Sequence, residues 1–343
     1  MWKPQAFFHL FSSFLICLIL VTFGCFRDDS NPISSKQLII AWMNTDFPVP
    51  GNPSYTFFDN MACNSSNDVF VSLWSAGIFR STDQGNTWQE VNTNLTNLFI
   101  DAMAINSRDV IFAGAQNVGN TPAGIFSSPD KGNSWLYRGL QEQGINALCI
   151  DSEDRIFAGS SGGAIFRSTD DGENWEEVIH DLGEMVMDLS VTPEDNILAG
   201  SVSGIYHSRD QGDTWEQLGS VGVPVISIAV TRGGVIIVSS GIRGEIYRTT
   251  DQGVNWEKIG NDLPTHQEHF YWHLQLNSED RIFAGSWFHG VYHSQNLGST
   301  WKACNDGLSD TEITALGCDS DGYVYTGTGN AEVFRTVSPT ITD

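Results

Sequence analysis

Two aspartates in similar surroundings are the residues of this sequence with the clearest potential for chemistry. Asp59 and Asp101 each stand just before a short apolar segment, at equivalent positions of a repeated pattern. Two carboxyl groups that lie close together can divide acid and base work, as in glycoside hydrolysis. The alternative is that both residues are solvated acids in an acidic chain. We favour this alternative because no other residue in the sequence indicates that the pKa values of the two acids are shifted. We therefore expect no catalytic residue, with Asp59 and Asp101 as the candidates if one exists.

A second group of candidates is aromatic. The segment 266–273 reads HQEHFYWH and the segment 287–289 reads WFH, and Trp287 aligns with Trp74 in the repeat described below. Flat aromatic side chains bind sugars, peptide side chains or a partner surface. The alternative is that they fill the space between structural units. The predicted ligand-binding residues are Trp74, Tyr271, Trp272, Trp287, Phe288 and His289.

Four histidines fall in the same two segments: His266, His269, His273 and His289. Zinc sites in proteins combine histidine with cysteine or carboxylate ligands. No such framework accompanies these histidines in the sequence. We therefore expect neither a metal nor another cofactor.

Composition excludes several classes of partner. The chain of 343 residues has 41 Asp+Glu against 17 Lys+Arg, a formal net charge of -24. Nucleic acids and anionic lipid surfaces are bound by clustered Lys and Arg, so we expect neither as a partner. A hydrophobic content of 41% is too high for a disordered chain. The 6 cysteines are too few for a disulfide scaffold of this size.

The N-terminal residues indicate export. Residues 1–24 contain one basic residue and then an apolar run, Phe14–Val21, which is typical of a secretory signal. The pair Gly24-Cys25 resembles the end of a bacterial lipobox, which implies lipidation of Cys25 and a polar tether over residues 25–36. The alternative is an uncleaved single-span anchor, for which the apolar stretch is short.

Both interpretations predict that everything after residue 25 is exported. We expect an outer-membrane or cell-surface lipoprotein, or otherwise a secreted or periplasmic protein, that meets the membrane only through its lipid anchor. We also expect a monomer. Export permits disulfides, and the sequence leaves their pairing open among Cys63, Cys149, Cys304 and Cys318.

A motif of eight residues recurs along the chain, and its repeat places the candidate residues at equivalent positions. Its first copy, Ser81–Trp88, reads STDQGNTW. Four further copies share its Asp, Gly and Trp positions, a sixth has Asn296 in place of the Asp, and a seventh begins at Thr336 and stops. Seven starts at a period of roughly 43 residues indicate a repeat architecture.

Each motif follows three apolar segments with strand character. In the second unit these are Ala102–Ile105, Ile111–Gly114 and Gly124–Phe126, which are rich in β-branched and aromatic residues. A fourth strand begins at the Trp of each motif, and four strands per period form one propeller blade. The fourth strand has one copy fewer than the others, so we predict that Gln37–Trp42 supplies the missing one. The predicted fold is all-β: a single seven-bladed β-propeller over residues 37–343, closed by an N-terminal strand.

The motif resembles the Asp-box, or BNR repeat, of sialidases, xyloglucanases, sortilins and photosystem II assembly factors. We expect its Asp to accept hydrogen bonds from the turn, its Gly to adopt positive φ, and its Trp to pack between blades. The residues predicted to be structural in this way are Asp83, Trp88, Asp130, Trp135, Asp170, Trp175, Asp210, Trp215, Asp251, Trp256 and Trp301.

The resemblance also implies that ligands bind on the face of the ring opposite to the motif. On that face the repeat places one residue per blade at the start of the innermost strand. These residues are Asp59, Asp101, Asn146, Met187, Ile226, Trp272 and Thr314. Many of the acids belong instead to turns on the motif face, where they serve turn chemistry and solubility.

Two classes of function follow from the resemblance. A sialidase would need an arginine triad, but most arginines here, such as Arg80 and Arg167, occupy repeated positions. A xyloglucanase would carry two propellers and a catalytic Asp in an early loop, and the corresponding loop here, 74–77, has no carboxylate. A single seven-bladed ring with a lipobox resembles the photosystem II assembly-stability factors. We therefore predict a non-catalytic module that binds or assembles a protein or glycan at the cell envelope, with a glycoside hydrolase as the alternative.

Overall fold

The computed structural model describes residues 40–48, 57–119, 121–180, 182, 185–241, 244–264 and 272–341. All of them belong to one compact unit, residues 39–343. They form 28 β-strands and no α-helix. Accordingly, no helix in the described part of the chain is long and apolar enough to cross a membrane. The predicted signal segment 1–24, the lipidation residue Cys25 and the tether 25–36 lie outside the described residues.

The strands of the described residues form seven antiparallel sheets of four strands each, which are the blades of a seven-bladed β-propeller. Blade 1 contains β2 (Phe58–Cys63), β3 (Val69–Leu73), β4 (Gly77–Ser81) and β5 (Gln89–Glu90); blade 2 contains β6 (Ile100–Ile105), β7 (Ile111–Ala115), β8 (Gly124–Ser128) and β9 (Leu136–Tyr137); blade 3 contains β10 (Ile145–Ile150), β11 (Ile156–Ser160), β12 (Ile165–Ser168) and β13 (Glu176–Ile179). Blade 4 contains β14 (Val186–Val191), β15 (Ile197–Ser201), β16 (Gly204–Ser208) and β17 (Glu216–Gln217); blade 5 contains β18 (Val225–Val230), β19 (Ile236–Ser240), β20 (Ile246–Thr249) and β21 (Glu257–Ile259). Blade 6 contains β22 (Trp272–Leu276), β23 (Ile282–Ser286), β24 (Gly290–Ser294) and β25 (Lys302–Ala303); blade 7 contains β26 (Ile313–Cys318), β27 (Val324–Thr328), β28 (Val333–Thr336) and the N-terminal strand β1 (Trp42–Asn44). The predicted fold class is confirmed.

The N-terminal strand closes the ring. Strand β1 pairs antiparallel with β28, with Trp42 opposite Thr336. The predicted closing strand, Gln37–Trp42, is therefore placed two residues too early at its C-terminal end. Residues 37–39 lie outside the described residues, and the strand begins only at Trp42.

The second strand of each blade forms its buried middle. Every residue of β3 and β7 is buried, because both faces of these strands are covered by neighbouring blades. The core clusters cross the blade boundaries: Tyr325 and Val333 of blade 7 pack with Val69 and Phe79 of blade 1. The first strands of neighbouring blades contact one another, so they line the axis of the ring.

The innermost strands carry an irregularity that decides which side chains reach the axis. In blade 1 the pairing of β2 with β3 shifts between Phe58 and Asn60, which leaves Asp59 as an extra residue. This is a β-bulge, which bends the strand and re-aims the neighbouring side chains. The same shift occurs around Asp101, Asn146, Met187, Ile226 and Thr314.

Blade 6 lacks this bulge in the described residues of β22. Trp272 pairs with Ser286 and His273 follows it without a shift in register. Trp272 therefore occupies the position that Phe58 has in blade 1, which is a core position. The predicted alignment of Trp272 with Asp59 is wrong by one residue, because the spacing of a repeat does not reveal a missing bulge.

The repeated motif forms a tight turn between the third and fourth strands. Asp83 accepts the backbone N–H of Thr87 at 2.8 Å and its hydroxyl at 2.7 Å, and Ser81 donates to the same carboxylate at 2.8 Å. Gly85, with φ 85°, donates its N–H to the Ser81 hydroxyl at 2.7 Å. The equivalent backbone bond is accepted by Asp130, Asp170, Asp210, Asp251 and Asn296. Hydrogen bonds of this kind from Thr214 lower the pKa of Asp210 to about 2.

The tryptophan that ends the motif joins its blade to the preceding one. The indole N–H of Trp135 donates to the Val91 carbonyl at 2.7 Å. Trp88 of blade 1 reaches the residue that follows β1, donating to the Thr45 hydroxyl at 3.2 Å. The other motif tryptophans are also buried or half-buried: Trp175, Trp215, Trp256 and Trp301.

A second contact between blades lies at the turns between first and second strands. Ser107 of blade 2 donates its backbone N–H at 2.9 Å and its hydroxyl at 2.8 Å to the carboxylate of Asp154 in blade 3. We call this pair of bonds the turn contact. It recurs between Ser65 and Asp109 and between Ser320 and Asn67. The acids of these turns therefore connect blades in addition to making the protein soluble.

Candidate functional site

A cavity of about 590 Å³ lies at the end of the axis where the innermost strands begin. Residues from the innermost strands of all seven blades line it, together with Trp74, Gln116 and Val118, which follow second strands, and Met185, which precedes β14. We call this cavity the channel mouth. Its polar lining residues are Asp59, Asn60, Asp101, Gln116, Asn146, Asp188, Ser227, His273 and Gln275. No lysine or arginine belongs to the described lining.

The two aspartates singled out from the sequence are neighbours at the channel mouth. Asp59 Oδ2 and Asp101 Oδ1 are buried and have no hydrogen-bond partner in the described structure. Burial, together with the charge of Asp101, raises the pKa of Asp59 to about 9. Burial raises the pKa of Asp101 to about 7, although a hydrogen bond from Gln116 lowers it. The interpretation of these residues as two solvated acids is therefore wrong, because the blade bulges hold them inside the cavity.

A polar network holds the wall beside Asp101. Gln116 Nε2 donates to the side-chain oxygen of Asn146. Asn146 Nδ2 in turn donates to the Val186 carbonyl of the next blade at 3.2 Å, and Ser161 donates to Asn146 Oδ1 at 2.9 Å. These bonds link blades 2, 3 and 4, so the amide groups next to Asp101 are fixed in position.

Asp188 and His273 complete the titratable lining. Asp188 Oδ2 accepts the backbone N–H of Ile228 at 2.6 Å. Burial raises the pKa of Asp188 to about 7 in spite of this bond. Burial also lowers the pKa of His273 to about 4, so its imidazole is neutral at neutral pH. The described lining thus presents three carboxyl groups and no fixed positive charge.

Four aromatic rings form a row that reaches the channel mouth at Trp74, which lines the cavity. Phe57 stacks on Trp74, with ring centroids 5.6 Å apart and an angle of 14° between the planes. Trp74 also meets the edge of Phe99 at 5.1 Å, and Trp287 lies 6.4 Å from Phe57. All four side chains are half-buried, so each retains accessible surface. The structure thus brings Trp74 and Trp287 into one aromatic row, with Phe57 between them.

Trp272 does not belong to this surface. Its side chain is fully buried, its indole N–H donates to the Gly244 carbonyl at 3.0 Å, and its ring meets Tyr292 edge-on at 5.6 Å. The prediction that Trp272 binds a ligand is therefore wrong. Trp272 fills the space between blades 5 and 6, as the alternative interpretation proposed.

The remaining predicted residues lie beside Trp287 or outside the described part. Phe288 is exposed and His289 is half-buried, in the loop between β23 and β24. Tyr271 lies outside the described residues. Among the predicted innermost positions, Thr314 is buried and its hydroxyl accepts the backbone N–H of Phe58 at 3.2 Å, so it joins blades 7 and 1.

Several residues of the site were missed by sequence reasoning. Phe57 and Phe99 each precede an innermost strand by one residue, a repeated position that would have revealed them. Asp188 was missed because a strict alternation places Met187 and Asp188 on opposite faces. The bulge at Met187 breaks the alternation, and both residues line the channel mouth.

The described residues contain no group of three or more His, Cys, Asp or Glu arranged to hold a metal ion. His273 and His289 are described, whereas His266 and His269 are not. The described cysteines, Cys63, Cys149, Cys304 and Cys318, are free thiols.

Neither a protein-family model nor a curated protein matches this sequence. Solved structures with the same fold do. The chain is similar to the GH74 xyloglucanase of Xanthomonas campestris, with a TM-score of 0.68 and 15% identity over 85% of this chain and 53% of that one. It is also similar to virginiamycin B lyase from Staphylococcus aureus (TM-score 0.68, 12% identity, 87% of this chain and 98% of that one). A third similar structure is YCF48 from Cyanidioschyzon merolae (TM-score 0.64, 12% identity, 86% of this chain and 98% of that one).

These similarities define the class of the protein as a seven-bladed β-propeller and extend no further. The chain spans about half the length of the GH74 enzymes that it matches. The neighbours include glycoside hydrolases, a lyase and YCF48, so the same ring serves unrelated functions. Function must therefore be argued from the channel mouth itself.

Proposed function

We propose that this chain is an exported, non-catalytic binding module whose ligand, a segment of a partner protein or a glycan, enters the channel mouth. One observation carries the proposal: Asp59 and Asp101 line a cavity of about 590 Å³, and each has a buried carboxyl oxygen without a hydrogen-bond partner among the described residues. Leaving such groups unpaired costs free energy. A ligand that satisfies them recovers that cost on binding.

The aromatic row supports the same proposal. Trp74 places a half-buried ring in the lining of the polar cavity, and Phe57, Phe99 and Trp287 continue the row of rings beyond it. Ligand sites typically combine an apolar wall with a few convergent polar groups. An aromatic wall on one side and carboxyl groups on the other would fix both the position and the orientation of a bound group.

The test is a comparison of variants in binding assays with cell-envelope proteins and with an array of glycans. Trp74→Ala is expected to weaken capture of whichever ligand binds by at least tenfold, because its ring lines the cavity; Trp287→Ala is expected to weaken it less, because Trp287 joins the row only through Phe57. Tyr137→Ala is the matched control, since this exposed aromatic residue lies on the outer strand β9. Capture that survives both wall substitutions and is lost in the control would place the binding surface elsewhere and overturn the proposal.

A glycoside hydrolase is the second candidate, and the aspartate pair favours it. With pKa values of about 9 for Asp59 and about 7 for Asp101, one carboxyl group holds a proton near pH 8 while the other is ionised. That division of states suits a general acid and a general base. The test is hydrolysis of sialosides or β-glucans by the protein. If the protein hydrolyses them and both Asp59→Asn and Asp101→Asn lose this activity, the proposal of a binding module is wrong and the hydrolase is correct.

A further inference from the structure

The channel mouth collects carboxyl groups without a lysine or arginine beside them in the described lining. Asp59, Asp101 and Asp188 line the same cavity on the innermost strands of blades 1, 2 and 4. The described lining contains no lysine or arginine, and His273 is neutral at neutral pH. Burying a carboxylate away from water is costly unless an opposite charge or hydrogen-bond donors meet it. For Asp59 and Asp101, the described chain leaves one oxygen of each without such a partner.

The aromatic wall lies beside the same two acids. Trp74 follows the second strand of blade 1 and lines the cavity together with Asp59 and Asp101. Its ring contacts Phe99, which directly precedes the innermost strand of blade 2. An indole face attracts a cation through its quadrupole. Carboxyl groups and an indole ring on one pair of blades thus offer two independent attractions to the same positive group.

We propose that the ligand of the channel mouth presents a primary ammonium group, the side chain of a lysine or the N-terminus of a partner protein, to Asp59, Asp101 and Trp74. This inference rests on the proposed binding function and names the chemistry of the ligand. An ammonium group has three N–H donors, enough to bond to both carboxyl groups and still retain one. The net charge of -24 attracts basic partners over a longer range.

The charge of the pair selects a monovalent cation over a metal ion. At neutral pH the pair retains one proton, on Asp59, and carries about one negative charge when Asp101 is ionised. A single ammonium group neutralises that state. A divalent ion would need both carboxylates ionised, and the described residues offer no third acidic or histidine ligand in reach of a metal position.

The experiment uses two peptides that differ in one charge: acetyl-Gly-Gly-Lys-Gly-Gly-amide and the same peptide with Nε-acetyllysine. Binding to the protein is measured by calorimetry at pH 8, and we expect the lysine peptide to bind at least tenfold more tightly. Asp101→Asn should remove that difference. Asp321→Asn, an exposed acid of blade 7 in a turn on the opposite face, should retain it.

The pH dependence gives a second readout. Because burial raises the pKa of Asp101 to about 7, its ionised fraction rises roughly tenfold between pH 6 and pH 8, while lysine stays charged. Affinity for the lysine peptide should rise by a similar factor over that interval. Asp101→Asn should abolish the rise. Unchanged affinity between the two pH values would contradict the inference.

The remaining outcomes separate this inference from the binding function. Equal binding of both peptides, or tighter binding of the neutral probe cellotetraose, with loss in Trp74→Ala, would overturn the ammonium ligand and leave the binding module standing. Stoichiometric binding of Ca²⁺ that is lost in Asp101→Asn would overturn it in favour of a metal. If neither peptide binds at millimolar concentration, the inference fails, and the capture assays with the wall variants still decide the binding function.

Discussion

Asp59 faces Asp101 across the boundary between blades 1 and 2, and the charge of Asp101 adds to burial in raising the pKa of Asp59. The two positions are equivalent in the repeat, and each is the extra residue of a β-bulge. Two acids therefore meet because a bulge in each blade turns the same position towards the axis. The pair makes the stability of the fold depend on pH.

Asp59→Asn should stabilise the protein at pH 8 but not at pH 4. The pKa of Asp59 is about 9 in the folded protein against 3.8 for an ordinary aspartate. Between these values the folded state keeps a proton that the unfolded state loses, so stability falls as the pH rises through this window. Asn carries no such penalty, and we expect a gain of at least about 1 kcal/mol in the free energy of unfolding at pH 8. Urea unfolding at both pH values measures it; an equal change at both would contradict the raised pKa.

Asp101→Asn should lower the pKa of Asp59 without restoring its ordinary value. The substitution removes the charge that Asp59 faces but leaves its burial, which is the larger cause of the shift. Carboxyl ¹³C chemical shifts of Asp59, followed by NMR from pH 4 to pH 10, report this change. Asp321→Asn is the control and should leave the titration of Asp59 unaltered. An unchanged midpoint in Asp101→Asn would mean that the two carboxyl groups do not interact.

The number of blades and the origin of the closing strand could be predicted because each blade repeats one spacing. The motif turns were also predictable, since Asp83 and Gly85 act only on their own turn. The site was harder to predict because it depends on bulges, which shift register without changing the repeat. Trp272 was therefore assigned to the surface although it is buried.

The chemical state of the acids lay beyond the sequence for a different reason. Burial and the charge of Asp101 raise the pKa of Asp59, and both causes are present only once the ring has folded. Phe57 lies between Trp74 of blade 1 and Trp287 of blade 6, so this row of rings connects two blades that are far apart in the sequence. No local pattern encodes such a contact. The repeat in a single sequence thus predicts that Asp59 and Asp101 are neighbours, but not that aromatic residues of blades 1 and 6 meet.

Deleting the chain through Asn44 should destabilise the whole ring. The deletion removes β1, exposes the edge of β28 and takes away the buried Trp42. Loss of one buried tryptophan side chain alone costs about 3–5 kcal/mol. Thermal unfolding compared with a deletion that stops at residue 36 measures the contribution of the strand. Equal midpoints for the two deletions would refute closure by β1.

Between blades 4 and 5 the turn contact is missing, and both of its partners are missing together. Where Ser320 donates to Asn67 between blades 7 and 1, blade 4 has Pro193 and blade 5 has Gly234. Proline has no N–H to donate, and glycine has no side chain to accept. Gly234 has φ 75°, close to the φ of 60° at Asn67, and the nearest atom to an added Cβ is Glu194 Oε1 at 3.8 Å. The backbone of Gly234 therefore already has a φ close to the one that Asn67 adopts in the existing contact.

The double variant Pro193→Ser/Gly234→Asn should install this contact and stabilise the ring. Neither single variant completes it, because each lacks the donor or the acceptor. In a double-mutant cycle read by urea unfolding, we therefore expect a favourable coupling of about 1 kcal/mol between the two positions. The reverse cycle on the existing contact, Ser320→Ala with Asn67→Gly, removes the hydroxyl but keeps the backbone N–H of residue 320, so it should give a smaller favourable coupling from the hydroxyl bond alone. A coupling near zero at 193 and 234 together with a clear coupling at 320 and 67 would show that the turn of blade 5 cannot adopt the geometry that its φ suggests.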